Sequence, residues 1–301
     1  MVDLDGFEPS TSSMPWKRAP NCATGPLVRR TSNSLPRGER TSRRKPAIFK
    51  AMHGRNIVFA AAVCLCSAPS LLAAKKIPVS PPDPEVAAIQ AQLASLDGPG
   101  GYYSTTYRPT EAGYWASLPE WMRMDARSHR VARVLDIGCG YGTLLALAAK
   151  VYAAEPHCMD VARYLPAFGK ARGFHFTAGN IQLDPIPAPG KFDVILMTEV
   201  LEHFNFDPLP ALRKIRDALA PNGVFFLTTP DAAEWGQQTK YYKHLRDLPP
   251  ANASKPFVDD HIWIYNKTEL LDLLTKAGFR IARFGYSGAG HRHFNLELRV
   301  S

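Results

Sequence analysis

An apolar segment that runs directly into a turn with a glycine at every second position limits the folds open to this chain. Arg133–Ile137 has the residues of a buried β-strand, and residues 143–150 have the apolar pattern of a helix. Between them stand Gly138, Gly140 and Gly142. Because glycine lacks a Cβ atom, such a strand-to-helix turn lets a ligand approach the backbone closely. The segment therefore predicts a βα unit whose turn binds a ligand.

Segments typical of strands and helices continue to alternate after this unit. Strands are predicted at residues 133–137, 151–155, 174–178, 192–198, 224–228, 279–284 and 294–300. Helices are predicted at residues 143–150, from the second strand to about residue 171, and at 209–220 and 268–277. Strands separated by helices form a mainly parallel sheet through right-handed crossovers, which put helices on both faces. The connection 285–293 is too short for a crossover helix, so the seventh strand is predicted to be antiparallel.

These alternating segments form the predicted domain, residues 101–301, which is long enough for one sizeable core. The preceding residues 77–100 begin with several prolines and are predicted to be a linker with a short helix at 85–96. Residues 1–51 are rich in Ser, Thr, Pro and Arg and are predicted to be disordered. They also resemble an over-extended gene model, in which translation would begin at Met52.

Residues 52–76 have the order of a secretory signal, with a short basic start followed by an apolar run. The run, residues 57–74, carries no charge and is just long enough for a single membrane span. A buried core helix fits less well, because the run has no polar face. The segment predicts a signal peptide or membrane anchor, with possible membrane attachment through the run. If residues 52–74 are a signal or an anchor, the protein is expected to be exported or membrane-associated. If they are neither, it is expected to be cytoplasmic.

The formal net charge of +9 is concentrated at one end of the chain. Residues 1–55 hold 11 Lys and Arg against 4 Asp and Glu, whereas the remainder holds 25 against 23. The nearly neutral body argues against a broad phosphate-binding face, so no nucleic-acid partner is expected. A basic amino-terminal arm that touches nucleic acid is the alternative. Five cysteines in 301 residues do not predict a disulfide framework, and Cys139 is interpreted as a packing residue.

The glycine spacing bears on which ligand the turn binds. Dinucleotide sites use a similar turn, but Thr143 stands where a small residue would complete their pattern. Asp136 comes two residues before the first glycine, where its carboxylate would crowd a pyrophosphate. A ligand without phosphate therefore suits this turn better.

Six motifs occur in a fixed order around and after the turn: VLDIGCGYG, VYAAEP, AGNI, FDVILMTEVLEHF, LAPNGVFFLTTPD and HIWIYNKTELLDLLTKAGF. Their order resembles class I S-adenosylmethionine-dependent methyltransferases, close to the small-molecule branch that includes ubiquinone biosynthesis enzymes. The resemblance implies a Rossmann-like fold and S-adenosyl-L-methionine as cofactor. It also implies in-line methyl transfer to a small-molecule acceptor, whose identity the motifs do not give.

The resemblance further implies a set of cofactor-binding residues. They are Asp136, Gly138, Cys139, Gly140, Gly142, Glu155, Asn180, Ile181, Thr198 and Glu199. In this set Glu155 is expected at the end of the second strand, where its carboxylate would accept from both ribose hydroxyls. Asn180 would face the adenine, and Thr198 would border the sulfonium.

The catalytic residues are less defined. His203 and His261 are candidates for a base or a substrate contact, with roles in bracing or capping a loop as the alternative. No two histidines have helical metal-ligand spacing beside a carboxylate, so no metal is predicted. Two other functions stay open: a methyltransferase-like binding protein without activity, and an NAD-dependent oxidoreductase.

Overall fold

The computed structural model describes residues 83–187, 190–236, 240–288 and 292–301. The predicted disordered segment 1–51 and the predicted signal or anchor at 52–76 lie outside these residues and stay predictions. Within the part of the chain that the structure describes, no helix is both long and apolar enough to cross a membrane.

Seven strands form one sheet in the order β3-β2-β1-β4-β5-β7-β6. They are β1 (Arg133–Ile137), β2 (Glu155–Asp160), β3 (His175–Ala178), β4 (Phe192–Thr198), β5 (Leu219–Pro230), β6 (Phe279–Ser287) and β7 (His293–Val300). The first five strands pair in parallel, and β7 runs antiparallel to both of its neighbours. This arrangement confirms the predicted α/β fold, including the reversed last strand.

Eight α-helices accompany these strands in the described ranges. They are α1 (Pro84–Asp97), α2 (Arg108–Tyr114), α3 (Leu118–Asp125), α4 (Thr143–Tyr152), α5 (Pro166–Ala171), α6 (Pro208–Ala218), α7 (Ala232–Trp235) and α8 (Lys267–Lys276). A π-helical turn, Tyr103–Tyr107, leads into α2.

The alternation of side chains along the strands divides the core between the two faces of the sheet. In β1, Leu135 and Ile137 belong to the cluster that contains the buried residues of α6 and α8. Val134 belongs to the opposite cluster, which contains the buried residues of α1, α3 and α4. Helices therefore cover both faces, as the strand pattern predicted.

Helix α1 confirms the short helix predicted at 85–96, and it lies in the segment predicted as a linker. Asp83 caps its first turn by accepting from the backbone N–H of Glu85. Its buried residues Val86, Ile89 and Leu93 belong to one of the two core clusters, and the helix packs on α4. Because these side chains complete the core, the domain begins before residue 101, and most of the predicted linker is a core helix.

The predicted second strand, residues 151–155, is also wrong. Helix α4 continues to Tyr152, because its buried apolar positions extend the helical spacing begun at Leu144. Ala153 then adopts a left-handed conformation, φ 52°, and β2 starts only at Glu155. Strand β2 reads EPHCMD, and its Pro, His and Asp residues gave no strand signal.

Candidate active site

A cleft of about 270 Å³ opens at the carboxyl ends of β1, β2 and β4. Its lining comprises Tyr102, Tyr107, Ile137, Gly138, Gly140, Tyr141, Met159, Asp160, Val161, Tyr164, Gly179, Asn180, Ile181, Gln182, Glu199, Val200, His203, Phe204, Phe257 and Asp259. Strands β1 and β4 are neighbours although β2 and β3 come between them in sequence. The order of the strands in the sheet therefore reverses its direction between β1 and β4. Ligands of open α/β sheets bind at such a switch point.

The glycine-rich turn forms the floor of this cleft. Gly138 and Gly140 line it in left-handed conformations, with φ of 72° and 52°. A Cβ atom on Gly138 would collide with the side chain of Val200, so the backbone passes here only without a side chain. Gly142 is not among the lining residues; it precedes α4 and packs against Phe174. Two of the three predicted glycines therefore face the cleft.

Glu155 does not lie where the sequence predicted. It begins β2 rather than ending it, so it stands at the edge of the sheet away from the cleft, and 46% of its side chain is exposed. The acid at the carboxyl end of β2 is Asp160, which lines the cleft. The predicted end of the second strand, residue 155, lies five residues before the observed end of β2, so the predicted acid is displaced from Asp160 to Glu155.

Backbone groups hold Asp160 in position. Its Oδ2 atom accepts from the N–H of Gly140 at 2.9 Å, and its Oδ1 atom accepts from Ala162 at 3.1 Å. Its carbonyl oxygen accepts from Gly179 after β3. Burial raises the pKa of the carboxyl, although these N–H donors act in the opposite direction. Asp160 thus joins the glycine turn to the end of the neighbouring strand.

Asp136 is buried beneath the turn with 2% of its surface exposed. Its Oδ1 atom makes no hydrogen bond to any described residue. Burial, and next the charge of Asp160, raise the pKa of Asp136 well above its usual range. A buried, repelled carboxylate of this kind is stabilised by a positively charged ligand nearby.

The turn is also bound covalently to β2. Cys139 and Cys158 form a disulfide, which corrects the interpretation of Cys139 as a packing residue. The two cysteines are 19 residues apart in sequence, and nothing in that spacing indicated a pair. The bridge lies beside the cleft without lining it, so Cys139 supports the turn rather than facing a ligand.

The residues that follow β3 lie where the sequence predicted. Asn180 and Ile181 both line the cleft. The Oδ1 atom of Asn180 accepts from the N–H of Gln182 at 2.9 Å, and its own N–H donates to Asp184. These bonds fix a tight turn, in which the side-chain oxygen of Asn180 is already used as an acceptor for a backbone N–H.

Glu199 borders the cleft just past β4 in a left-handed conformation, φ 55°. The hydroxyl of Thr228 donates to its Oε1 atom at 2.9 Å, and His293 Nδ1 lies 2.8 Å from its Oε2 atom. The unusual backbone of a residue without glycine's freedom is typical of functional sites. Thr198, predicted beside it, is not among the cleft's lining residues.

Of the two candidate bases, only His203 lines the cleft. The ring of His261 stands perpendicular to it at 4.8 Å, behind the lining. Burial lowers the pKa of each histidine to about 4, so both are neutral near pH 7. His203 comes from the end of β4 and His261 from the loop before α8, so only the fold brings them together.

Two groups of side chains in the described ranges could hold a metal ion. Each contains a carboxylate and two histidines whose donor atoms lie within 4.8 Å of one another. The groups are Glu202 with His203 and His261, and Glu155 with His157 and His175. Each group brings together residues from separate segments of the chain. The prediction of no metal considered only histidines at helical spacing within one segment, so it did not cover such groups. The absence of a metal therefore stays a prediction.

Aromatic side chains form one wall of the cleft. The Tyr107 and Tyr141 rings lie 5.3 Å apart, and Tyr141 and Tyr164 lie 5.2 Å apart. The aromatic residues Trp263 and Tyr265, by contrast, are buried in the core.

Comparison with known proteins identifies the family of the chain. The model of a methyltransferase domain family matches residues 107–283, more than half of the chain. The chain therefore belongs to this family, within the class I S-adenosylmethionine-dependent superfamily, and the resemblance of its motifs is confirmed.

Curated relatives include ubiquinone biosynthesis O-methyltransferases of Xanthomonas campestris pv. campestris strain B100 and Xanthomonas oryzae pv. oryzae strain PXO99A. They are 34% and 32% identical to this chain over 121 residues. That stretch covers 36% of this chain and 48% of each relative, so the chain spans about half the length of the curated relatives it matches.

Among solved structures, an S-adenosylmethionine-dependent methyltransferase from Clostridium acetobutylicum is 12% identical, with a TM-score of 0.49 over 66% of this chain and 96% of its own. The magnesium protoporphyrin IX methyltransferase of Synechocystis PCC 6803, with bound S-adenosylhomocysteine, is 16% identical, with a TM-score of 0.49 over 71% of this chain and 94% of its own.

Proposed function

We propose that this chain binds S-adenosyl-L-methionine in the cleft and transfers its methyl group to an oxygen atom of a small molecule. The charge of the cleft carries the proposal. Asp160, Glu199 and Asp259 line it, and none of its described lining residues is Lys or Arg. A sulfonium with an ammonium group is attracted to such a lining, whereas the pyrophosphate of NAD is repelled. This contrast favours the methyltransferase over the oxidoreductase.

The residues present also fit the cofactor. Gly138 and Gly140 both line the cleft, and beside the bare backbone of Gly140 the only described atom beyond its chain neighbours within 4 Å of a Cβ position is the Tyr107 hydroxyl oxygen at 3.8 Å, which leaves room for a ligand against the turn. Asp160 offers a carboxylate that the Gly140 N–H holds in place, and it is suited to accept from the two ribose hydroxyls. The buried Oδ1 atom of Asp136, which lacks a described hydrogen-bond partner, is suited to a positive charge above the turn.

When bound, S-adenosylmethionine would supply an activated methyl group: the acceptor oxygen would bond to the methyl carbon in line as the bond from that carbon to sulfur breaks, S-adenosylhomocysteine would leave, and the hydroxyl proton would pass to water. The protein then needs mainly to hold the acceptor in line, and positioning lowers a barrier by about 7–11 kcal/mol in favourable cases. Neutral His203 can accept a hydrogen bond from an acceptor hydroxyl and orient it. With a pKa of about 4, it is a weak proton acceptor, so we assign it to positioning.

Two observations support the proposed acceptor, the first for its oxygen atom and the second for its small apolar character. The relatives matched over 121 residues are named as O-methyltransferases. The cleft also has apolar and aromatic lining residues, such as Val161, Phe204 and Phe257, which suit a small apolar molecule.

Isothermal titration of the full chain with S-adenosylmethionine and, separately, with NAD tests the cofactor. We expect S-adenosylmethionine to bind and NAD not to bind. Asp160→Ala should abolish the heat of binding, whereas Asp217→Ala, a change of an exposed acid on α6, should keep it. Binding of NAD alone would overturn the assignment.

A second assay separates an enzyme from an inactive binding protein. Release of S-adenosylhomocysteine is measured across a panel of phenols, amines and thiols. We expect turnover with a phenol. Binding of S-adenosylmethionine without turnover on any member of a broad panel would favour the inactive binding protein.

A further inference from the structure

A second chemical site lies at the opposite edge of the sheet, where β2 and β3 begin. Glu155 and His157 are two residues apart in β2, so their side chains project from the same face. The parallel register pairs His157 with His175 of β3. Three potential metal ligands from two strands are therefore adjacent because of the backbone alone.

Two of the three separations between the ligand atoms of this group are close to those of a metal site, and all three lie within 4.8 Å. Glu155 Oε1 lies 3.0 Å from His175 Nε2 and 3.3 Å from His157 Nε2. The two imidazole rings stack at 4.7 Å with 22° between their planes. In a tetrahedral zinc site with bonds of about 2.0–2.1 Å, neighbouring ligand atoms lie about 3.3 Å apart.

The state of His157 is the independent observation. The residue is 5% exposed, and its buried Nε2 atom lies 3.3 Å from Glu155 Oε1 without the geometry of a hydrogen bond to any described residue. Its ring makes a T-shaped contact with Phe192, with the ring centroids 5.2 Å apart. A buried imidazole nitrogen without a hydrogen bond is costly unless something binds it.

The surroundings leave room for an ion with access from solvent. Glu155 and His175 have 46% and 58% of their side chains exposed, so a fourth position is open to water. Arg133 lies beside the other carboxylate oxygen of Glu155, with Nε 3.9 Å from Oε2, and its guanidinium stacks on Phe192 at 4.4 Å. Its position orients the carboxylate and leaves Oε1 for the metal.

We propose that Glu155, His157 and His175 form a zinc site at the amino edge of the sheet. Two imidazole nitrogens and one carboxylate oxygen suit Zn²⁺, whereas Mg²⁺ and Ca²⁺ prefer sets made entirely of oxygen. The ion joins β3, a four-residue edge strand, to β2. It thereby stabilises the two strands whose other ends carry Asp160 and Asn180.

The test uses the full chain without an affinity tag, freed of metal with a chelator and dialysed against Zn²⁺. Bound zinc is counted by elemental analysis in the wild type and in two variants. His175→Ala removes an exposed ligand with little risk to folding, and His244→Ala changes an exposed histidine elsewhere. We expect His175→Ala to hold about one zinc equivalent less than the other two proteins.

Two further measurements identify the ligands and the role of the ion. Co²⁺ in place of zinc should give the visible absorption of a four-coordinate site, and Glu155→Gln and His175→Ala should both lose it. Zinc should raise the melting temperature of the wild type and of His244→Ala but not of His175→Ala. Excess Mg²⁺ should not displace the zinc.

The proposal is overturned if His175→Ala retains the same zinc as the control. It is equally overturned if His261→Ala, which alters the other histidine–carboxylate group, removes the zinc that His175→Ala retains. Neither result depends on whether the cleft binds S-adenosylmethionine, so the two proposals fail separately.

Discussion

Strand β2 carries an acid at each end, and the two ends lie in opposite surroundings. Asp160, at the carboxyl end, is 7% exposed and accepts backbone N–H bonds from the glycine turn. Glu155, at the amino end, is partly exposed beside two histidines. The two acids differ by only one methylene group. Which edge of the sheet each one faces therefore decides its chemistry, because the glycine turn and the backbone donors that hold Asp160 lie at the carboxyl edge.

The largest test of this contrast removes each acid in turn. Asp160→Ala should weaken binding of S-adenosylmethionine about a thousandfold, because two charge-assisted hydrogen bonds are worth about 4 kcal/mol together. Glu155→Ala should weaken it less than about threefold, since the amino edge is remote from the cleft. Isothermal titration of both variants measures the difference. A larger loss in Glu155→Ala would reinstate the acid first predicted from the sequence.

The disulfide provides a second test, because it joins the cleft's turn to the middle of β2. Replacing Cys139 and Cys158 together by serine should lower the free energy of unfolding by about 3 kcal/mol, the value for a loop of about 20 residues. Chemical denaturation measures the loss. A reductant should lower the wild type to the level of the variant and leave the variant unchanged. Equal stability of wild type and variant in the absence of reductant would contradict the bridge.

The pH dependence sharpens the account of the carboxyl end. Burial raises the folded-state pKa of Asp160, so its ionised form costs stability, and this cost disappears as pH falls through that pKa. Asp160→Asn cannot ionise and should melt at a higher temperature than the wild type at pH 7. The gap should narrow as the pH is lowered. Melting curves at a series of pH values check the sign, and a gap that widens in acid would contradict it.

Binding should depend on pH in the opposite direction. Protonation of Asp160 removes a charged acceptor for the ribose, so the affinity for S-adenosylmethionine should fall as the solution is acidified. Since the pKa is raised, this fall should begin nearer neutral pH than for an ordinary aspartate. Titration calorimetry at several pH values, with the wild type alone, tests it.

The smallest effect on stability is expected from a substitution at the amino edge of the sheet when no metal is bound. His175 has 58% of its side chain exposed, so His175→Ala in a chelated protein should change the free energy of unfolding by less than about 0.5 kcal/mol. Denaturation with and without Zn²⁺ separates this baseline from the metal's contribution. A large loss in the absence of metal would mean that the histidine supports the fold by packing.

Much of the fold could be predicted from the sequence, because strands that are mainly apolar can be recognised from their residues alone. Apart from Asp136, Asp193 and Thr198, the segments VLDI and FDVILMT are apolar, as is typical of strands covered on both faces, and they form β1 and β4. The ending of β2 was missed because EPHCMD is buried yet polar in composition. Its strand state comes from pairing with β1 and β3, which is a tertiary property.

By itself, the sequence determined the class of fold, the glycine turn and the superfamily, because each depends on residues that are neighbours along the chain. Only the tertiary structure decided that Asp160 faces the cleft, that Cys139 meets Cys158, and that His157 lies beside His175. Those contacts depend on strand register and on where a helix ends. When a strand boundary shifts by a few residues, a side chain moves to the other edge of the sheet. The local pattern of residues does not show where that boundary lies.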